Sequence, residues 1–232
     1  MPMSARLDAL LLTRPPRLLH ALLPGCEWTG PPATLAGAPV LYLTFDDGPI
    51  PDETPWVLEQ LALFAARATF FCVGQNLERY PEIARAALAA GHRVGNHTQY
   101  HRSAWASGRA DYLAGVSACQ TGLVAAGVVP ALTAADAVLA PKRLFRPPYG
   151  RLTWPLLGAL KPDFRVIMWS VLTRDYDPDL SPASCLQLTL AAVRPGDIIV
   201  FHDSRKASAR LRFVLPRVLA HFAERGFEFA AL

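Results

Sequence analysis

From about residue 40 to the C-terminus, short apolar runs alternate with longer segments of helical spacing, and this alternation constrains the chain more than any other feature. Residues 40–45 read as a strand, and 55–66 follow with Val57, Leu58, Leu61 and Phe64 at helical intervals. Residues 68–73 form a second apolar run rich in aromatic and branched side chains. Pro81 suits a first helical turn, opening a helix over 82–90 that Gly91 ends. Strands are expected again at 92–96, 144–146, 165–170, 197–202 and 227–230, with helices over 110–126, 153–160, 182–193 and 207–225. Pro216 removes a helical hydrogen bond and is expected to kink or restart the last helix. Seven strands, most followed by a helix, predict an α/β fold with a parallel sheet and helices outside it. An open doubly wound sheet and a closed barrel both satisfy the pattern. With no internal repeat and no low-complexity linker, 40–232 reads as one domain and 1–39 as an N-terminal arm carrying a short amphipathic helix.

Composition excludes several classes. At 52% apolar and 18% charged, the 232 residues have enough hydrophobic surface to offset their ordering entropy, so the chain is not disordered. The net charge is only +4, and basic residues are scattered, the densest cluster being Arg205, Lys206, Arg210 and Arg212. A nucleic-acid partner, which wants a concentrated basic face, is therefore not expected. Cys26, Cys72, Cys119 and Cys185 are far apart, which disfavours a thiolate metal site. The apolar run at 9–12 is broken by Arg14, Pro15, Pro16 and Arg17, unlike a signal peptide. The stretch 122–140 contains Pro130 and Asp136, which makes it a poor membrane span. These features predict a soluble chain without a transmembrane segment, and without a secretion signal disulfides are not expected.

Ligand-type side chains cluster at the expected strand ends. Asp46 and Asp47 follow the first strand, and His97 follows the third, with His101 four residues later. Arg146 ends the fourth, Asp175 lies beyond the fifth, and His202 closes the sixth. The C-terminal ends of parallel strands share one face, in a barrel or an open sheet, so three carboxylates, three histidines and an arginine are expected to converge. Each piece alone admits a bland reading. Asp46-Asp47-Gly48-Pro49 is either an Asx turn or a pair in which one carboxylate binds a cation and its neighbour acts as base. His97 and His101 suit zinc or a similar cation with a carboxylate as third ligand, and would share a face if the segment were helical. Arg146 is a snorkelled loop residue or the partner of a carboxylate, and the turn after it offers a main-chain N–H to an oxyanion. His202 is a strand cap or a proton donor to a leaving amine. His20, His92 and His221 read as surface or satisfied histidines. No GxSxG, GxGxxG or Walker A pattern occurs.

Taken in order, Thr44-Phe45-Asp46-Asp47-Gly48-Pro49, His97-Thr98-Gln99-Tyr100-His101, Arg146-Pro147-Pro148-Tyr149-Gly150 and Ile198-Ile199-Val200-Phe201-His202-Asp203 resemble the motifs of the NodB-homology polysaccharide deacetylases, carbohydrate esterase family 4. The resemblance runs from about residue 40 to 232. It implies a distorted (β/α) barrel of about seven parallel strands and one divalent metal ion, usually zinc, with cobalt, nickel or manganese in some members. It implies an acetylated carbohydrate as substrate, with acetyl groups removed from N-acetylglucosamine polymers or from xylan. A non-sugar amide hydrolase and an inactive carbohydrate-binding homologue are the other readings. By resemblance, Asp46 is the general base, Asp47, His97 and His101 hold the metal, and Arg146 orients Asp46. The Tyr149 N–H then stabilises the oxyanion, His202 is the general acid and Val200 lines the acetyl pocket. Where the family often reads Asp-x-x-Asp-Trp, this chain has Leu172-Thr173-Arg174-Asp175-Tyr176. Asp175 is kept, while Leu172 and Tyr176 alter one groove wall and the surroundings of His202 or Arg146. The region 127–143 is the expected substrate-contacting loop.

Overall fold

Apolar runs that are buried on both sides must pair with one another, and they do so in a computed structural model that describes residues 13–16, 18–130 and 141–232. The strands are β1 (Val40–Asp46), β2 (Ala68–Cys72), β3 (Arg93–Asn96), β4 (Arg143–Phe145), β5 (Phe164–Val166), β6 (Val171–Leu172), β7 (Ile198–His202) and β8 (Glu228–Phe229). They run β5-β4-β3-β2-β1-β7-β6, with β8 beside the start of β1, and every pairing is parallel. Seven of these strands form a curled half-barrel, a distorted barrel that stays open between β5 and β6 rather than closing. The helices are α1 (Leu18–Leu22), α2 (Glu53–Leu63), α3 (Gly74–Arg79), α4 (Pro81–Ala89), α5 (Arg109–Ala125), α6 (Trp154–Leu160), α7 (Pro182–Ala192) and α8 (Ser208–Ala223).

Strand periodicity then sets what faces where. On β1, Leu41, Leu43 and Phe45 join the main core with Phe70, Ile199, Phe201 and the buried α8 residues Leu211, Val214, Leu215 and Val218. The alternate residues Val40 and Tyr42 pack with Phe71, Leu144, Ile167 and Ile198 inside the curl, below Thr44 and Asp46. On β7, Ile198 lies in that same inner cluster, while Val200 and His202 line the cleft above it. Each inward row thus begins apolar and ends in a titratable side chain at the C-terminal edge.

Three local expectations are corrected. The run at 165–170 is not one strand: β5 ends at Val166 and β6 begins at Val171, because Ile167 and Met168 pair elsewhere. Helix α3 lies at residues that carried no helical reading. Helix α8 runs unbroken through Pro216, held by buried Val214, Leu215, Val218 and Leu219 on either side of the missing donor. Residues 131–140, the middle of the expected substrate loop, lie outside the described residues. All four cysteines are free.

The segment before β1 is tied to the sheet. Glu27 donates its N–H to the Val166 carbonyl at 2.8 Å and accepts from the Met168 N–H at 2.7 Å. Its carboxylate grips Arg165 through two hydrogen bonds, at 2.8 and 2.7 Å. Arg14 reaches the buried Asp197 at 2.6 Å. No helix among the described residues is long and apolar enough to cross a membrane.

Candidate active site

The strand ends build the site around a buried guanidinium. Arg146, fully enclosed after β4, donates to Asp46 Oδ1 and to Thr44 Oγ1, both at 2.7 Å. Its other nitrogens donate to the carbonyls of Ile167, at 3.4 Å, and Met168, at 3.0 Å, and its charge lies 4.3 Å from the Phe71 ring centroid. A buried guanidinium needs every donor satisfied, and the strip that Glu27 pairs with supplies two of the acceptors. Burial pushes the Asp46 carboxyl up, but Arg146, together with His97 and His202, outweighs it and holds Asp46 below the usual carboxylate range. Asp46 is therefore an ionised, oriented acceptor.

Beside it, Asp47, His97 and His101 bring three ligand atoms within 4.8 Å of one another. The segment 97–101 is not helical. Thr98 and His101 take positive φ, 65° and 52°, and the loop folds the two imidazoles together with ring centroids 5.0 Å apart. Asn96 enforces that shape: its Oδ1 accepts the Thr98 N–H at 2.9 Å, while its Nδ2 donates to the Val116 carbonyl on α5. Asp47 is also left-handed, at φ 83°. Its carbonyl accepts from Asn76 Nδ2 at 2.8 Å, which gives α3 its part in the site. The next residue, Gly48, admits no side chain, since a Cβ there would lie 2.1 Å from Asp203 Oδ2. Asp203 accepts the Gly48 N–H at 3.0 Å and the Thr54 hydroxyl at 2.5 Å.

The donor set fits a divalent cation. Asp47 Oδ1 is buried and makes no hydrogen bond, although His101 Nε2 lies 3.2 Å away. His97 donates from Nδ1 to the Arg146 carbonyl at 2.8 Å, which turns Nε2 toward the carboxylates. Burial drives His97 down to about 4, against the pull of Asp46 and Asp47, so the ring is neutral and its lone pair is available.

His202, across the cleft, is treated oppositely. Asp175 accepts its Nδ1–H at 2.7 Å and its main-chain N–H at 2.8 Å. Burial pulls this imidazole down, but Asp175, with help from Asp47 and Asp46, overrides it and raises the group to about 9. His202 is thus protonated at neutral pH, with Nε2 left over for another partner.

Between these groups lies a cleft of about 500 Å³ lined by Asp46, Asp47, His97, His101, Val200 and His202, with Tyr149, Arg151, Trp169, Leu172, Tyr176 and Lys206 completing its walls. Tyr149, left-handed at φ 60°, places its ring 4.7 Å from His101. Gly150 follows at φ 63°, against the Trp169 ring. Two of the histidines expected to be satisfied in the structure lie elsewhere: His92 accepts the Ala68 N–H at 3.2 Å, and His20 stacks on Trp28. Asn76, Asn96, Thr54 and Asp203 are supporting residues that the sequence reading missed. Only Asp203, adjacent to His202, carried a signal, and the others become visible through long-range contact alone.

The polysaccharide deacetylase family model matches residues 35–161. This protein belongs to the polysaccharide deacetylase family. The polysaccharide deacetylase chain is 34% identical to a chitooligosaccharide deacetylase of Sinorhizobium fredii over 210 residues, covering 84% of this chain and 91% of that one. It is 30% identical to a peptidoglycan-N-acetylglucosamine deacetylase of Bacillus cereus over 204 residues, covering 83% of this chain and 68% of the relative. Among solved structures, the Bc1960 peptidoglycan N-acetylglucosamine deacetylase superposes with a TM-score of 0.75 at 26% identity, covering 92% of this chain and 93% of that one. A family 4 carbohydrate esterase from Streptomyces lividans, in complex with acetate, gives 0.67 at 29% identity, covering 82% and 91%. These relatives make the protein similar to sugar deacetylases in sequence and in fold.

Proposed function

We propose that the protein is a metal-dependent hydrolase that removes acetyl groups from N-acetylated sugars of a polysaccharide of chitin-oligomer or peptidoglycan type. One observation carries the reading: an Arg146-held carboxylate, a three-atom ligand group and an Asp175-held imidazolium face one cleft. Names of the relatives agree with it. Asp47, His97 and His101 would hold the ion, with zinc suited to two imidazoles and a carboxylate. A divalent cation bound there would polarise the acetyl carbonyl and acidify water.

The chain's own groups divide the remaining work. Asp46 accepts a proton from the attacking water, and Arg146 keeps its carboxylate aimed and ionised. The Tyr149 N–H, presented by the left-handed turn, donates to the carbonyl oxygen as that atom gains charge. Val200 and Leu172 give the acetyl methyl an apolar wall. As the carbon–nitrogen bond breaks, His202 gives its Nε2 proton to the departing sugar nitrogen, and Asp175 stabilises the imidazolium before that transfer. The products are acetate and a free amino sugar.

The test is acetate release by zinc-loaded protein from N-acetylglucosamine oligomers, run beside acetylxylan. Release from the oligomers, lost on chelation and restored by zinc, supports the reading. Release from acetylxylan alone, or from neither, overturns it.

A further inference from the structure

The loop that carries His97 and His101 has a second face. Those two imidazoles line the catalytic cleft, whereas Thr98, Tyr100 and Arg102 line a separate cavity of about 320 Å³, and the two linings share no residue. The opposite wall of this cavity is one face of α5, where Asp111, Gly115 and Ala118 recur at helical spacing, with Tyr112 beside them. The volume lies at the small end of the range for ligand pockets, on the scale of a single ring.

Two independent observations point to an occupant. Thr98 and Tyr112 are each 3% exposed, and their hydroxyls are buried with no hydrogen-bond partner among the described residues. Burial pushes the Tyr112 phenol up, so it keeps its proton and can donate. Such groups cost free energy that a ligand's own hydroxyls would recover. The second observation is Gly115, placed inside a 17-residue helix where glycine is disfavoured. A Cβ there would meet nothing within 4 Å, so no close contact demands the glycine, and its effect is to leave the cavity wall open. Around the opening, Arg102 stands 5.5 Å from the Tyr100 ring centroid, and neither it nor Asp111 forms an ion pair among the described residues. One charge of each sign disfavours a charged ligand, which one of them would repel. A neutral ligand can accept from the guanidinium and donate to the carboxylate.

We propose that this cavity is a second ligand site that takes a neutral, polyhydroxylated ring such as one pyranose unit, with Thr98 and Tyr112 bonding its hydroxyls. The site lies outside the catalytic cleft and needs no acetyl group on its ligand, so it goes beyond the deacetylase reading and does not depend on it.

The probe is methyl β-D-glucopyranoside, titrated into the zinc-loaded protein by calorimetry and by ligand-observed NMR. Saturable binding is expected at about 1 mM, unchanged between low and high salt. Tyr112→Phe should weaken it about 10-fold with the melting temperature unchanged or higher, since the substitution removes an unpartnered hydroxyl. Gly115→Leu should fill the cavity, abolish binding and raise the melting temperature. Tyr176→Ala, in the wall of the catalytic cleft, should leave binding intact. No saturable binding, binding unmoved by Tyr112→Phe or Gly115→Leu, or binding lost in Tyr176→Ala overturns the proposal. Tighter binding of glucuronic acid or glucosamine than of the neutral ring overturns the ligand class. Acetate release enters none of these outcomes, so failure of the deacetylase reading would leave this test standing.

Discussion

His97 and His202 both stand at the C-terminal edge of the curled sheet, nearly enclosed, and within reach of the Asp46 charge. Their surroundings push them in opposite directions. Burial, with the neighbouring His101, drives His97 down to about 4 although its Nδ1 proton goes to a carbonyl, whereas His202 gives its own to the Asp175 carboxylate, which overrides burial and lifts it to about 9. Burial therefore leaves one imidazole neutral and fit to bind a cation, while the Asp175 carboxylate makes the other fit to deliver a proton. The two ends of the cleft differ in the chemistry they offer, although the same fold and side-chain type build both.

Substitutions should break the two sides differently. His97→Ala should abolish turnover and bound metal together, because two remaining ligands do not hold the ion, as elemental analysis and acetate release would show. His202→Ala should keep the metal yet lower kcat by roughly 10²- to 10⁴-fold, and an unchanged kcat would remove it from the acid role. Asp46→Asn should fall in the same range with metal retained. Asp175→Asn should act more gently, costing about 10-fold in kcat. Its clearer mark is on pH: the substitution strips the charge that lifts His202 to about 9, so the alkaline limb of the kcat profile should move to lower pH. A limb that stays in place would show that His202 is not the titrating acid.

A smaller effect comes from the arm. Glu27 holds Arg165 and pairs with the strip whose Ile167 and Met168 carbonyls seat Arg146, and Arg146 aims Asp46. Glu27→Ala should lower kcat about 3-fold with little change in KM, and exchanging the two residues as Glu27→Arg with Arg165→Glu should restore part of the loss. Least of all, the stability of the metal-free protein should report the contrast. His202, raised on folding, contributes stability that is complete below about 6.5 and is lost as pH climbs through about 9. His97, depressed on folding, contributes stability present above about 6.5 and lost as pH falls toward about 4. Denaturant midpoints across pH should therefore lose their alkaline slope in Asp175→Asn and part of their acid slope in His97→Gln.

Much of this was legible in the chain. β1, β2 and β7 are continuous apolar runs ending in Asp46, Cys72 and His202, and burial on both faces leaves a parallel strand as the economical solution. Strand-end placement then gathers Asp46, Asp47, His97, His101, Arg146, Asp175 and His202, since strands that run the same way share an edge. What escaped was conformational or long-range. The His97–His101 approach needs left-handed Thr98 and His101, an uncommon conformation for a side-chain-bearing residue, whereas spacing alone brings the rings together only on a helix. Six-residue α3 is too short to show a period, and it reaches the site through Asn76 and through the Gly74 and Gln75 N–H groups, which donate to the Thr98 and Gln99 carbonyls. The pairing of Glu27 with Ile167 joins residues 140 positions apart, a contact with no local signature. Leu172 and Tyr176 stand where an acid and a tryptophan were expected, and both line the cleft, with Tyr176 edge-on to His202.

The most direct measurement is the zinc content of dialysed His97→Ala and His202→Ala proteins set beside the parent. A parent and a His202→Ala variant each holding about one ion per chain, with almost none in His97→Ala, is the expected result. Equal zinc in the two variants, whether retained or lost, would contradict the division of the cleft into a cation-binding side and a proton-delivering side.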